Sequence, residues 1–257
     1  MTAYVEKSGD RLIVWNGNAD KRGAITPLFY TSIAAATKAA QDPKIRSVII
    51  SSQGDFFCAG GDLNALRERR NLSEIERQGK IEILHDLIRG IRACPVPVIA
   101  AVKGGAAGAG ASIALACDFI VAEAGCKFTA AYVKAGLVPD GGLTASLARM
   151  IPRPLAMEMC VLARPVTAER MEALGAVNLT TSREQVMPEA HALADAIATG
   201  PRIAQGRIRA MVAQAYDQSE AAQLDVERDA MAQAAGGDEA GEGIAAFLEK
   251  RKPEFGT

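Results

Sequence analysis

The apolar positions of this chain change their spacing partway along it. In the first half, short apolar runs bounded by polar residues alternate with segments of helical period; in the second half the helical period dominates. Tyr4-Val5-Glu6 and Leu12-Ile13-Val14-Trp15 flank Ser8-Gly9-Asp10, which predicts an opening β-hairpin. Pro27 to Ala40 reads as a helix with proline in its first turn and Asp42-Pro43 beyond its end. Ser47 to Ser51, Val98 to Val102 and Phe119 to Ala122 are apolar runs short enough for strands buried on both faces. Strands separated by helices predict a largely parallel sheet with crossover connections.

Ser73 and Glu76 are spaced as a capping box. They open a helix whose Leu84, Leu87, Ile88 and Ile91 share one face and which stops near Pro95. The charged run Arg67-Glu68-Arg69-Arg70-Asn71 before it is expected to be a mobile surface loop by the site entrance. After Pro139, helices are expected at about 142–151, 154–163, 167–174, 186–199, 202–216, 219–235 and 238–249, with one short strand at 177–179. Ser182 and Gln185 read as a second capping box, before a helix starting near Val186. Gly200-Pro201 is the natural hinge. The expected division is an α/β core over 1–195 and a helical region over 196–257.

Composition narrows the function classes. The 257 residues hold 29 Lys plus Arg against 30 Asp plus Glu, a net charge of −1, so no basic field points to nucleic acid or a membrane surface. Five cysteines without a C-x-x-C pair read as buried thiols in a reducing compartment. Glu6, Lys7, Asp10 and Arg11 interrupt any N-terminal apolar signal, and the run at 96–102 is too short to span a bilayer. A soluble, cytoplasmic protein is expected.

Two glycine-rich turns carry the chemistry. One is Phe57-Cys58-Ala59-Gly60-Gly61-Asp62-Leu63; the other runs from Lys103-Gly104-Gly105 through Ala109 to Ser112. Each lets the backbone approach a ligand closely, and two such turns can aim N–H groups at one oxygen. No Gly-Lys-Ser/Thr follows either turn, and Ile113 stands where a dinucleotide fingerprint needs its third glycine. Ser112 lacks the G-x-S-x-G elbow of a hydrolase nucleophile.

In these two turns, and from about Ala3 to Phe255, the chain resembles the crotonase (enoyl-CoA hydratase/isomerase) superfamily. The resemblance implies an α/β fold: a ββα spiral core with a C-terminal helical trimerisation region. It places oxyanion-hole donors at the amides of Gly61 and Ala109, the latter at the start of a short helix. Ala59 falls where the family's backbone meets the adenine of coenzyme A. Asp62 either caps the helix beginning at Leu63 or joins the binding site. Lys21 and Arg22 match basic contacts to the coenzyme's phosphates, though a solvated pair is an equal reading. Phe247 and Lys250 match the ring and ammonium that touch its nucleotide end, or simply close a basic helix end. Implied too are an acyl-CoA thioester substrate, a homotrimer or dimer of trimers, and neither a metal nor a cofactor beyond the coenzyme A of the substrate.

The departures are as informative. The family's hydratases carry two glutamates that activate water and protonate the α-carbon, and these positions hold Ser112 and Tyr132. A hydroxyl and a phenol of ordinary acidity are poor general bases at neutral pH. Changing Ser112 to alanine is therefore expected to alter the rate little. Asp140, in Pro139-Asp140-Gly141-Gly142, stands where several relatives place a single acid/base group, or else caps the helix that follows. One carboxylate suffices to move a double bond, so the resemblance favours an enoyl-CoA isomerase. A hydratase, a hydrolytic dehalogenase and a catalytically reduced acyl-CoA-binding protein stay open as alternatives. The dehalogenase needs a histidine partner; His85 lies about one helical turn from its position and His191 is expected to face solvent.

Overall fold

The computed structural model describes residues 2–255. In chain order it begins with β1 (Ala3–Ser8), β2 (Arg11–Asn16), α1 (Pro27–Ala39), β3 (Ser47–Ser52), α2 (Leu63–Arg69) and α3 (Glu74–Arg92). Next come β4 (Val98–Val102), β5 (Gly105–Ala107), α4 (Ala109–Ala114), β6 (Phe119–Glu123), β7 (Lys127–Thr129), α5 (Leu143–Met150) and α6 (Arg153–Leu162). The chain continues through β8 (Val166–Thr167), α7 (Ala168–Ala173), β9 (Leu179–Thr181), α8 (Val186–Ala198) and α9 (Arg202–Gln214). It ends with α10 (Glu220–Ala235) and α11 (Asp238–Glu249).

The main sheet runs β1-β2-β3-β4-β6-β9. Only the β1–β2 hairpin is antiparallel; every later pair is parallel. The period of two sorts β3 between the faces of the sheet. Val48 and Ile50 join a core with Phe29 and Ile33 of α1 and Leu84, Leu87 and Ile91 of α3. Ile49 joins Ile99 and Val121 on the other face, under Val186, Ala190, Ala194 and Ile197 of α8. That spacing is one face of a helix, and each fully buried Val or Ile contributes roughly 1.5–3 kcal/mol.

A second, three-stranded sheet runs β5-β7-β8. It was not foreseen, because strands of two or three residues are too short to show a period of two, and Gly105-Ala106-Ala107 has no β-branched residue either. A lone bridge between Cys58 and Ala106 joins it to the first glycine-rich turn. Three further readings are corrected. Arg67 to Arg69 are helical, not loop: Asp62 caps α2 by accepting from the amide of Asn64 at 2.8 Å, and the residues beyond are good helix formers. The last strand begins at Leu179, pairing with β6, rather than at Val177. Ser182 and Gln185 form no capping box for α8, since 183–185 is a 3-10 turn with no side-chain cap.

Arg209 fastens α9 to the core. Its guanidinium, buried, donates to Asp118 Oδ2 at 2.6 Å, to the carbonyls of Arg92 (2.8 Å) and Ile91 (2.6 Å), and to that of Cys94. Burial pushes the Asp118 carboxyl up while Arg209 pulls it back. Arg209→Ala leaves a carboxylate and three carbonyls without this donor, and is expected to cost about 3–5 kcal/mol in chemical unfolding. A loss within experimental error would show that the cluster is not a structural anchor. Farther out, Leu224, Met231, Ile244, Phe247 and Leu248 of α10 and α11 are exposed. Among the described residues, no helix is long and apolar enough to cross a membrane.

Candidate active site

The two glycine-rich turns touch. Ala107 N donates to the carbonyl of Cys58 at 2.9 Å, and Ala59 N to that of Arg22 at 3.0 Å. Gly60 sits at φ +93°, and a Cβ there would lie 2.9 Å from the Ala107 carbonyl oxygen and 3.2 Å from Ala109 N. Gly108, at φ +54°, ends β5 and lets the chain turn into α4, whose first residue is Ala109. Among the described residues, the amides of Gly61 and Ala109 donate to no backbone carbonyl or side chain. Such unspent donors on adjacent turns suit an oxyanion.

Asp140 lies beside them. It is half-buried in the turn before α5, and Tyr132 Oη donates to its Oδ1 at 2.7 Å. Ser112 Oγ, fully buried on α4, donates to the backbone carbonyl of Asp140 at 3.0 Å and lies 3.2 Å from Tyr132 Oη. The Tyr132 ring is packed beside Gly108, since a Cβ on that glycine would meet two ring atoms at 4.0 Å. The carboxylate and the Ala109 turn are thus connected through one phenol. Burial, then the charge of Asp140, pushes the Tyr132 phenol above its ordinary range. The same two causes push Tyr30, on α1, up to about 12. Both phenols stay protonated at neutral pH.

Sequence reasoning named Tyr132 without its bond to Asp140, missed Tyr30, and gave Ser112 no part. A spacing of eight residues between Tyr132 and Asp140, with Gly136 turning the chain between them, was the available signal. Tyr30 carried none, being one aromatic on an amphipathic helix.

The expected coenzyme contacts are more scattered. Lys21 pairs with Asp62 at 3.3 Å, and Asp62 is held below the ordinary carboxylate range first by the Asn64 amide and then by Lys21. Arg22 lies over the Phe56 ring at 4.3 Å, in a polar cleft of about 670 Å³ shared with Asp55 and Arg183. Ala59 is partly buried in the first turn, and Leu63 is exposed at the start of α2. Phe247 is 84% exposed on α11, and Lys250 is that helix's left-handed C-cap. Neither takes part in the hydrogen-bonded cluster around Asp140.

Neither histidine takes part in the hydrogen bonds of this cluster. His85 pairs with Glu82 at 3.4 Å on α3. His191 is not solvent-facing as expected: it is half-buried, its carbonyl accepts from Arg11 at 3.1 Å, and its Nδ1 lies 3.4 Å from the same guanidinium. Cys58, beneath the first turn, is fully buried and its thiol is pushed up to about 12, so it is no nucleophile. Among the described residues, no three His, Cys, Asp or Glu side chains gather as a metal site.

A largely parallel sheet among many helices, with two glycine-rich turns in contact and the Asp140 turn bonded to the helix that follows the second, is the architecture of a crotonase-fold enzyme of acyl-CoA thioesters. The sequence signature of enoyl-CoA hydratase/isomerase matches residues 20–257, and the chain belongs to that family. It is 35% identical over 216 residues to the 1,2-epoxyphenylacetyl-CoA isomerase of Escherichia coli, covering 84% of this chain and 82% of the relative. It is 31% identical to the crotonyl-CoA hydratase of Syntrophomonas wolfei, covering 86% and 84%. Among solved structures, an enoyl-CoA hydratase from a Polaromonas species superposes with a TM-score of 0.93 at 40% identity, covering 98% of each chain.

Proposed function

We propose that this enzyme isomerises an enoyl-CoA thioester, with Asp140 as its single acid/base. The observation that carries the reading is the placement of one carboxylate next to two unspent amides, with Ser112 and Tyr132 where hydratases carry glutamates. Asp140 takes a proton from C2 of a 3-enoyl thioester. The C–H bond breaks, an O–H bond forms, and the electron pair delocalises onto the thioester oxygen held by Gly61 and Ala109. The same proton returns at C4 and leaves a 2-enoyl thioester, with no water added. The name of the Escherichia coli relative, an isomerase of an epoxide-bearing CoA thioester, supports isomerisation as the class of reaction, and the hydratase names of others supply the competing reading.

Coenzyme A contacts are assigned to Lys21, Arg22, Ala59 and Leu63 along one rim, and to Phe247 and Lys250 at the nucleotide end. Lys21 would exchange its Asp62 partner for a phosphate, at little cost for so exposed a pair. The test incubates purified protein with 3-enoyl-CoA and, separately, with 2-enoyl-CoA, following the absorbance of the conjugated thioester. A rise with the first substrate and no loss with the second is expected. Rapid loss of the 2-enoyl signal with no isomerisation would replace this reading by hydration.

A further inference from the structure

We infer that Tyr132 and Ser112 are positioning residues for Asp140: the phenol holds Oδ1, the seryl hydroxyl holds the backbone carbonyl, and Oδ2 is the oxygen that moves the proton. The inference rests on the isomerase reading and assigns the work within that site.

A carboxylate on a loop can rotate about two side-chain torsions, and the loop itself can shift. Both freedoms are restrained here. The Tyr132 bond of 2.7 Å fixes the carboxylate plane from one side. The Ser112 bond of 3.0 Å fixes the peptide that carries it, from a buried helix whose first amide is the Ala109 donor. Among the described residues, Oδ2 has no hydrogen-bond partner. One oxygen is therefore spent on position and the other is free for chemistry. The phenol suits the task because burial and the neighbouring charge keep it protonated, as a lasting donor.

The geometry also explains a serine and a tyrosine at these two positions. Ser112 is completely buried, and its hydroxyl meets both the Asp140 carbonyl and Tyr132. The two side chains form one support, so the effects of removing them should not add. A group held by a shared support loses alignment when either member goes, and misplacement by about 1 Å can cost roughly 100-fold in rate.

The experiment compares wild type, Tyr132→Phe, Ser112→Ala, the double variant and Asp140→Asn, measuring kcat, KM, affinity for a saturated acyl-CoA, and melting temperature. A substrate deuterated at C2 gives a further readout, the fraction of label arriving at C4. Tyr132→Phe is expected to lower kcat about 100-fold while KM and affinity stay within about twofold. Less label should reach C4, because a loosened carboxylate exchanges its proton with water before returning it. Ser112→Ala, expected from the sequence alone to be nearly silent, should instead lower kcat about 10-fold because its hydroxyl holds the Asp140 carbonyl, and the double variant should lose less than the product of the single losses.

Full kcat in Tyr132→Phe, with Asp140→Asn inactive, would overturn the positioning role while leaving the base in place. Activity retained in Asp140→Asn would reject the isomerase mechanism itself, a different failure. If Tyr132→Phe does not fold, Ser112→Ala decides alone: unchanged kcat and label transfer overturn the inference. Loss of affinity and melting temperature in step with kcat would also overturn it, as a merely structural effect.

Discussion

Asp140→Asn is expected to lower kcat for 3-enoyl-CoA isomerisation by roughly a thousandfold and to leave acyl-CoA affinity nearly unchanged. An amide keeps the size of the carboxyl and can still accept from Tyr132 Oη at its oxygen. Ser112 bonds the backbone carbonyl, which the substitution does not touch. The fold, the turn and the two amides of the hole therefore persist. On the proposed mechanism what goes is the ability to take up a proton at C2, and among the described residues no other carboxylate joins the hydrogen-bonded cluster around Ser112 and Tyr132. Steady-state rates and isothermal titration with a saturated acyl-CoA check both halves. Turnover retained within a few-fold, judged against that scale of general-base effects, would remove Asp140 from the chemistry.

The second large effect is expected at Gly60. Its φ of +93° disfavours any side chain, and a Cβ there would press on the Ala107 carbonyl at 2.9 Å and on Ala109 N at 3.2 Å. Both contacts are with backbone, which cannot swing away like a side-chain tip. Gly60→Ala therefore wedges the first turn from the second and separates the amides of Gly61 and Ala109. Loss of one aligned donor typically costs about 3 kcal/mol of barrier, or roughly 100-fold, so kcat should fall by at least that factor. On the proposed mechanism the hole acts mainly on the enolate, so kcat and kcat/KM should fall together. A Gly60→Ala enzyme with normal kcat and a raised KM would show instead that this contact serves ground-state binding.

Much of the fold was legible because its signals are local. Buried parallel strands such as Ser47–Ser52 are continuous short runs, and the capping box at Ser73 and Glu76 is present with both of its bonds. The helices after Pro139 fall within a residue or two of their sequence boundaries. The errors arose where local signals were weak or misleading. Charge around Arg67 looked like a loop, but Asp62 nucleates a helix through its cap and a charged run does not oppose one. The small β5-β7-β8 sheet is made by tertiary pairing of segments too short to announce themselves.

The site was legible in a different way. Gly61, Ala109 and Asp140 stood out by motif, and the structure sets their turns side by side. The links between them were not readable, because the hydrogen bonds among residues 112, 132 and 140 depend on α4, the 3-10 turn at 131–135 and the loop before α5 converging. The phenol of Tyr132 looked like a lost glutamate in the sequence; in space it is the donor that holds the remaining acid.

The most direct measurement is a crystal structure with a saturated acyl-CoA bound. The thioester oxygen is expected within about 3 Å of both the Gly61 and Ala109 amides, and Asp140 Oδ2 within about 3.5 Å of C2. A complex with the acyl group seated elsewhere, or with the Asp140 carboxylate turned to solvent away from C2, would contradict proton transfer by this residue.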